Sequence, residues 1–219
     1  SEALKRYEQA FMTFRQLGET RRAAEALIES ASAISRLGNL AGARRRLEHA
    51  LQAYRRAGDK MGMAEVLDRL AGLEYRRGDL AASRRLSERE LQIARETGSS
   101  FLLGEALRRI GRTDWAANRL PAARRSFEQA LRLARERGED PAAMGIRVDL
   151  VRLSLSEGRH DEAARLAREA ADWYRSRGMP GNEAQATSLL AEALLYQGKL
   201  AEAREAADRA RVLAEKSED

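Results

Sequence analysis

Residues 58–98 read GDKMGMAEVLDRLAGLEYRRGDLAASRRLSERELQIARETG, with Gly58 at one end, Gly98 at the other and Gly78 midway. Between the first two glycines, Leu67, Leu70, Ala71 and Leu73 recur at helical spacing and share one face. Glycine is the residue that most easily takes the left-handed conformation at a helix end. Basic residues crowd in before several of these glycines: Arg55 and Arg56 before Gly58, Arg135 and Arg137 before Gly138, Arg175 and Arg177 before Gly178. Cations there complement the partial negative charge of a helix C-terminus. The stretch therefore reads as helix, stop, helix, stop.

The same punctuation extends along the chain. Gly18, Gly58, Gly98, Gly138 and Gly178 lie 40 residues apart, and Gly38, Gly78, Asn118, Gly158 and Gly198 repeat that spacing midway between them. Asn is the next best residue for a left-handed helix end. Thr20, Ser100 and Asp140 follow their glycines as expected N-caps, with Pro141 at a first helical position. The pattern predicts eleven helices: a lone helix over about 2–17, then pairs near 21–57, 61–97, 101–137, 141–177 and 181–216. No unit of this kind can bury its apolar face alone, so the pairs must stack on one another. The expected fold is all-α, a right-handed superhelical solenoid of five helix pairs preceded by an N-terminal half-unit helix. The expected organisation is one domain over 1–219, made of segments 1–18, 20–58, 60–98, 100–138, 140–178 and 180–217. A half-unit that opens without an initiator Met suggests a piece of a longer chain.

Composition narrows the function. Of the 219 residues 43% are hydrophobic, 34% charged and 5% aromatic, a balance that favours helices. The absence of Cys excludes disulfides, thiol chemistry and cysteine metal sites, and fits a reducing compartment, so the expected location is cytoplasmic. No apolar run is long enough for a membrane span. His49 and His160 are the only histidines, too few for an ordinary zinc or haem constellation, and Gly72, Gly104 and Gly111 lie inside helical patterns instead of after strands. No enzyme activity, metal or cofactor is expected. The net charge of +6 comes with 36 Arg against 4 Lys. That excess reads either as GC-rich bacterial codon usage or as a surface for anionic partners. Arg44-Arg45-Arg46, Arg84-Arg85 and Arg124-Arg125 align at 40-residue spacing, yet acids such as Glu88 and Glu90 are mixed among the arginines, which argues against nucleic acid as the partner.

The units resemble tetratricopeptide repeats. The second helix of each pair opens with a turn, an apolar residue and small residues at fixed offsets: Gly38-Asn39-Leu40 with Ala43 and Ala50, Asn118-Arg119-Leu120 with Ala123 and Ala130, Gly158-Arg159-His160 with Ala163 and Ala170, Gly198-Lys199-Leu200 with Ala203 and Ala210. In the first helix the small position holds Ala31, Ala71, Gly111 and Ala191, with Val151 the exception. The period of 40 exceeds the usual 34 and looks like the sensor arrays of bacterial multidomain regulators. The family's first-helix Tyr position holds Ile34, Glu74, Asp114, Ser154 and Leu194.

The resemblance implies a protein- or peptide-binding scaffold whose first helices line a groove. Carried over, its groove positions include Tyr75, Arg76, Arg108, Arg112, Trp115, Arg152 and Tyr196. Arginine forks around aromatic faces suit an acidic peptide or a chain terminus. The bland alternative is that Glu65, Asp68 and Glu105 neutralise these arginines and that Trp115 is packed core. Asp114 is expected to pair with Arg147, and Glu74 with Arg109 or Arg112, as polar links between repeats. The rival functions are a self-assembling scaffold that pairs as a homo-oligomer through the N-terminal helix, using Leu4, Phe11 and Phe14, and an Arg-rich nucleic-acid-binding array.

Overall fold

The turns between helices are closed by local chemistry that the repeat dictates. In a computed structural model describing residues 2–217, all nine glycines of the two series have φ between 63° and 85°, and Asn118, at φ 56°, does the same work. The backbone N–H of Asp79 donates to the Glu74 carbonyl at 3.0 Å and that of Gly78 to Tyr75 at 3.1 Å, which closes the last carbonyls of one helix. Four of the helices that follow, the third to the sixth in chain order, are also capped by the residue after the glycine. Asn39, Asp59, Asp79 and Ser99 accept from the N–H groups of Gly42, Gly62, Ala82 and Leu102. Thr20, Ser100 and Asp140, expected as caps, are instead the first helical residues, one position further on. The turn is shorter than the sequence suggests because the left-handed glycine and the cap are adjacent.

Eleven helices result among the described residues, joined by turns of two or three residues. The chain divides into two compact units, residues 1–117 and 118–219. The first contains α1 (Glu2–Gln16), α2 (Thr20–Arg36), α3 (Leu40–Ala57), α4 (Lys60–Arg77), α5 (Leu80–Thr97) and α6 (Ser100–Ala116). Its core gathers Ile28, Ile34, Leu47, Tyr54, Leu67 and Leu73 from successive helices, with Leu4 and Phe11 of α1 packed against it. Full burial of each such side chain contributes roughly 1.5–3 kcal/mol.

The second unit contains α7 (Leu120–Glu136), α8 (Asp140–Ser156), α9 (His160–Ser176), α10 (Pro180–Tyr196) and α11 (Leu200–Glu215). Met144 and Val148 of α8 pack with Ala170, Ala171 and Tyr174 of α9 and Ala186 of α10, and Leu194 packs with Ala203 and Ala206 of α11. The alanines that carry the repeat are buried in both units: Ala43, Ala50, Ala123, Ala130, Ala163 and Ala170 are fully enclosed. Small side chains at these places let helices approach closely. No described helix is long and apolar enough to cross a membrane.

Candidate functional site

The arginines at the start of the second helices are held by acids 30 residues further on. Arg44 of α3 reaches Glu74 of α4 at 3.1 Å, and Arg84 of α5 donates to Asp114 of α6. Glu74 and Asp114 stand at the apolar position of the repeat and are almost wholly buried, so they require such partners. Arg77 also meets Glu74 at 3.1 Å. In the second unit Arg124 of α7 finds Ser154 at the same place, at 3.0 Å, and turns the rest of its fork to Glu157 and Glu162. Burial works against the Arg124 charge, but the hydrogen bonds to Glu157 and Glu162 outweigh it and hold its pKa above the ordinary arginine value. Glu74 thus pairs with Arg44 and Arg77 and not, as expected, with Arg109 or Arg112. Its face of α4 turns toward the preceding helix. Asp114 and Arg147 lie in different units, and each has a partner within its own: Arg84 for Asp114, and Glu169 at 3.1 Å for Arg147.

The first helices of unit one line a cavity of about 370 Å³. Ser32 and Ser35 come from α2, Asp68, Arg69, Tyr75 and Arg76 from α4, and Arg109 and Arg112 from α6. Gly72 makes the room: a Cβ there would stand 3.3 Å from the Arg109 guanidinium. Arg109 bridges to Asp68 at 2.8 Å, and Arg69 binds Ser32 at 3.0 Å and Glu65 at 3.0 Å. Arg76 differs from both. It donates to the neutral Ser35 hydroxyl and meets no carboxylate among the described residues, so its charge is left facing the cavity.

Behind this wall Glu90 of α5 is 1% exposed. Burial, together with repulsion from Asp68 and Glu105 and against attraction by Arg109, pushes its carboxyl up to about 9. At neutral pH Glu90 is therefore an uncharged acid, and the ion pair of Arg109 is with Asp68.

The expected groove residues thus divide. Tyr75, Arg76 and Arg112 line the cavity together; Arg108 and Trp115 are half-buried on α6 outside its lining. Arg152 and Tyr196 belong to the second unit. There Arg152 lies 3.7 Å from Asp149, and Tyr196 stacks on His160 with ring centres 4.8 Å apart. Sequence reasoning missed Arg69 and Arg109 at the cavity. It also missed the pairing of Arg44 and Arg84 with acids, although the constant separation of 30 residues was there to be read.

Paired helices, glycine-closed turns and buried alanines at a fixed period define a tetratricopeptide-type array. The chain matches the MalT-like TPR region family over residues 22–180, and it belongs to that family. No curated protein matches it in sequence. Among solved structures it is similar to BtubC (BKLC) from P. vanneervenii, at 16% identity and a TM-score of 0.88, with 99% of this chain and 91% of that one covered. It is also similar to the Rap conjugation gene regulator of the plasmid pLS20, solved in complex with the Phr peptide, at 18% identity and a TM-score of 0.74. That match covers 91% of this chain and 55% of the regulator. A third likeness is to a signal transduction ATPase with a tetratricopeptide repeat sensor from Pyrococcus horikoshii, at 17% identity and a TM-score of 0.76. There 96% of this chain corresponds to 33% of the ATPase. At such identities the likeness concerns the fold.

Proposed function

We propose that this chain is a protein- or peptide-binding module, the sensor or interaction arm of a bacterial regulatory protein, and that the groove of α2, α4 and α6 takes an acidic segment of its ligand. The observation that carries the reading is Arg76, a guanidinium at a cavity wall beside Tyr75 with only a neutral hydroxyl for a partner. Such a group gains a charge-assisted hydrogen bond from an incoming carboxylate without giving up an internal one. Arg112 lines the same wall, and Tyr75 offers an aromatic face at low conformational cost. The chemistry is that of binding: the group set is arginine forks, hydroxyls, one aromatic ring and the Asp68 carboxylate, which Arg109 already holds. Two of the similar structures are a regulator held with a peptide and an ATPase with a repeat sensor, which agrees with such a role.

The test is an anisotropy screen of Asp/Glu-rich octapeptides against charge-reversed Lys counterparts. Saturable binding of the acidic set alone is expected, with Arg76→Ala weakening it about tenfold, the equivalent of one lost charged hydrogen bond of about 1.5 kcal/mol. Equal binding of both sets, or indifference to Arg76→Ala, would remove the acidic-ligand reading.

A further inference from the structure

A second groove opens on another side of unit one, between α1, α2 and α3. Its larger half encloses about 520 Å³ over an apolar floor of Phe11, Ala23, Ala24, Leu27 and Ala53, and a contiguous half of about 440 Å³ shares Phe11, Leu27 and His49 with it. Comparison of the repeats shows how the first one makes this space. Ala23 occupies the phase of Met63, Leu103, Ala143 and Glu183, and Ala53 that of Ile93, Leu133, Trp173 and Leu213. Of the five pairs, only the first has alanine at both places. The residue at the rim departs as well: Arg56 stands where the next two repeats carry Glu96 and Glu136. The pair of alanines that hollows the groove and the arginine at its rim thus meet in one repeat.

The electrostatics are one-sided. No acid lines the larger half, although acids are interspersed through the rest of the chain. Arg15, Arg45 and Arg56 border the two halves and have no carboxylate partner among the described residues; Arg15 lies against the Phe11 ring instead. The single acid of the smaller half, Glu8, is held by Arg46 at 2.5 Å. At that end the Ser30 hydroxyl is buried and without a hydrogen-bond partner. The walls run from Tyr7 to Arg15 on α1 and from Arg45 to Ala57 on α3. At 1.5 Å per residue these are about 12 and 18 Å, the length of two to three helical turns.

We infer that this groove is a second docking site, for an amphipathic partner helix that lays an apolar stripe on Phe11, Leu27 and Ala53 and sets acidic flanks against Arg15, Arg45 and Arg56. The apolar floor supplies area and the unpaired arginines supply orientation, as in helix-in-groove recognition. The site is separate from the cavity at Arg76 and shares none of its residues.

The probe is a fluorescein-labelled 18-residue peptide with leucines at i, i+3, i+7 and i+10 and glutamates on both flanks, titrated with the full chain. Saturable binding is expected, weakened about tenfold or more by Arg15→Glu with Arg56→Glu. Both arginines are exposed and unpaired, so an unchanged melting profile should accompany that loss. Arg76→Ala should leave the titration as it was, and a peptide with Lys for Glu should not bind. The inference is overturned if the peptide fails to saturate, if the Lys form binds as well, or if Arg76→Ala and not the double reversal abolishes binding. The last result would leave the acidic groove standing and remove this site. Concentration-dependent dimerisation that the double reversal abolishes would also overturn it, since the occupant would then be a second copy of the chain.

Discussion

Gly62 and Gly72 sit ten residues apart on α4 and answer substitution oppositely. A Cβ at Gly62 would come within 2.5 Å of the Tyr54 ring, which is 2% exposed and cannot withdraw, while the Asp59 cap fixes the backbone N–H of Gly62 from the other side. Gly62→Ala gains up to about 1 kcal/mol in helix propensity and loses about 1–3 kcal/mol to overpacking. The net loss should appear as a lower urea midpoint. At Gly72 the new methyl meets only the end of the Arg109 side chain at 3.3 Å, which can shift. Gly72→Ala should therefore be neutral or stabilising by up to about 1 kcal/mol in the same assay. Glu90 supplies a pH signature. Unfolded, it ionises in the ordinary carboxylate range, whereas in the fold it keeps its proton up to about 9. Between those values the folded state holds more protons than the unfolded one, so this group makes stability fall as pH rises through the window. Glu90→Gln keeps the shape and removes the titration. It should stabilise the chain by about 1–3 kcal/mol at pH 8 and make little difference at pH 4, as read from chemical denaturation at the two pH values.

Among the helices, the repeat varies its polarity at one pair of positions, 4/34, 44/74, 84/114, 124/154 and 164/194. The sequence there runs Leu–Ile, Arg–Glu, Arg–Asp, Arg–Ser and Ala–Leu. The polar pairs are central and the outer ones apolar. Removing the two members of a polar pair has unequal effects. Arg84 is one-third exposed and also reaches Glu88 at 2.9 Å, so Asp114→Leu leaves it partnered and should change stability by less than about 1 kcal/mol. Arg84→Leu strips a principal partner from a carboxylate that is 1% exposed and should cost about 2 kcal/mol. The double variant should return close to wild type, as a double-mutant cycle in urea would measure. The sequence announced the helices because glycine, cap and alanine act locally: each helix begins and ends within a residue or so of its expected place. It did not announce these pairings, because a buried acid at an apolar position does not itself say which neighbouring helix holds its counter-charge. The cavity was legible to the same extent. Tyr75, Arg76 and Arg112 follow from the family's groove positions, while Arg109 reaches into the space left by Gly72 and Arg69 turns to Ser32 and Glu65.

Along the full chain, the division at residue 118 had no mark in the sequence, and the reason is local. Asn118 takes the same left-handed turn as the glycines of its series, so the period of 40 passes through without a break. Charge was the other feature that counting could not resolve. A net +6 with 36 arginines left an anionic surface open as a reading, yet of the arginines that align at 40-residue spacing the first in each cluster is committed: Arg44 to Glu48 and Glu74, Arg84 to Glu88 and Asp114, Arg124 to Glu157 and Glu162. Affinity for nucleic acid grows with the number of phosphates neutralised and falls with added salt in proportion. A row of arginines already bonded to carboxylates neutralises few phosphates, because each contact would first have to break an internal ion pair. Titration of a labelled 30-base-pair duplex by anisotropy should therefore give at most weak binding at 50 mM salt, on the order of 10⁻⁴ M, and none at 200 mM. Binding below about 10⁻⁶ M with a steep salt slope would mean that the row is released when the polyanion arrives. Arg45 and Arg85, which stand beside it, would then be the first side chains to replace.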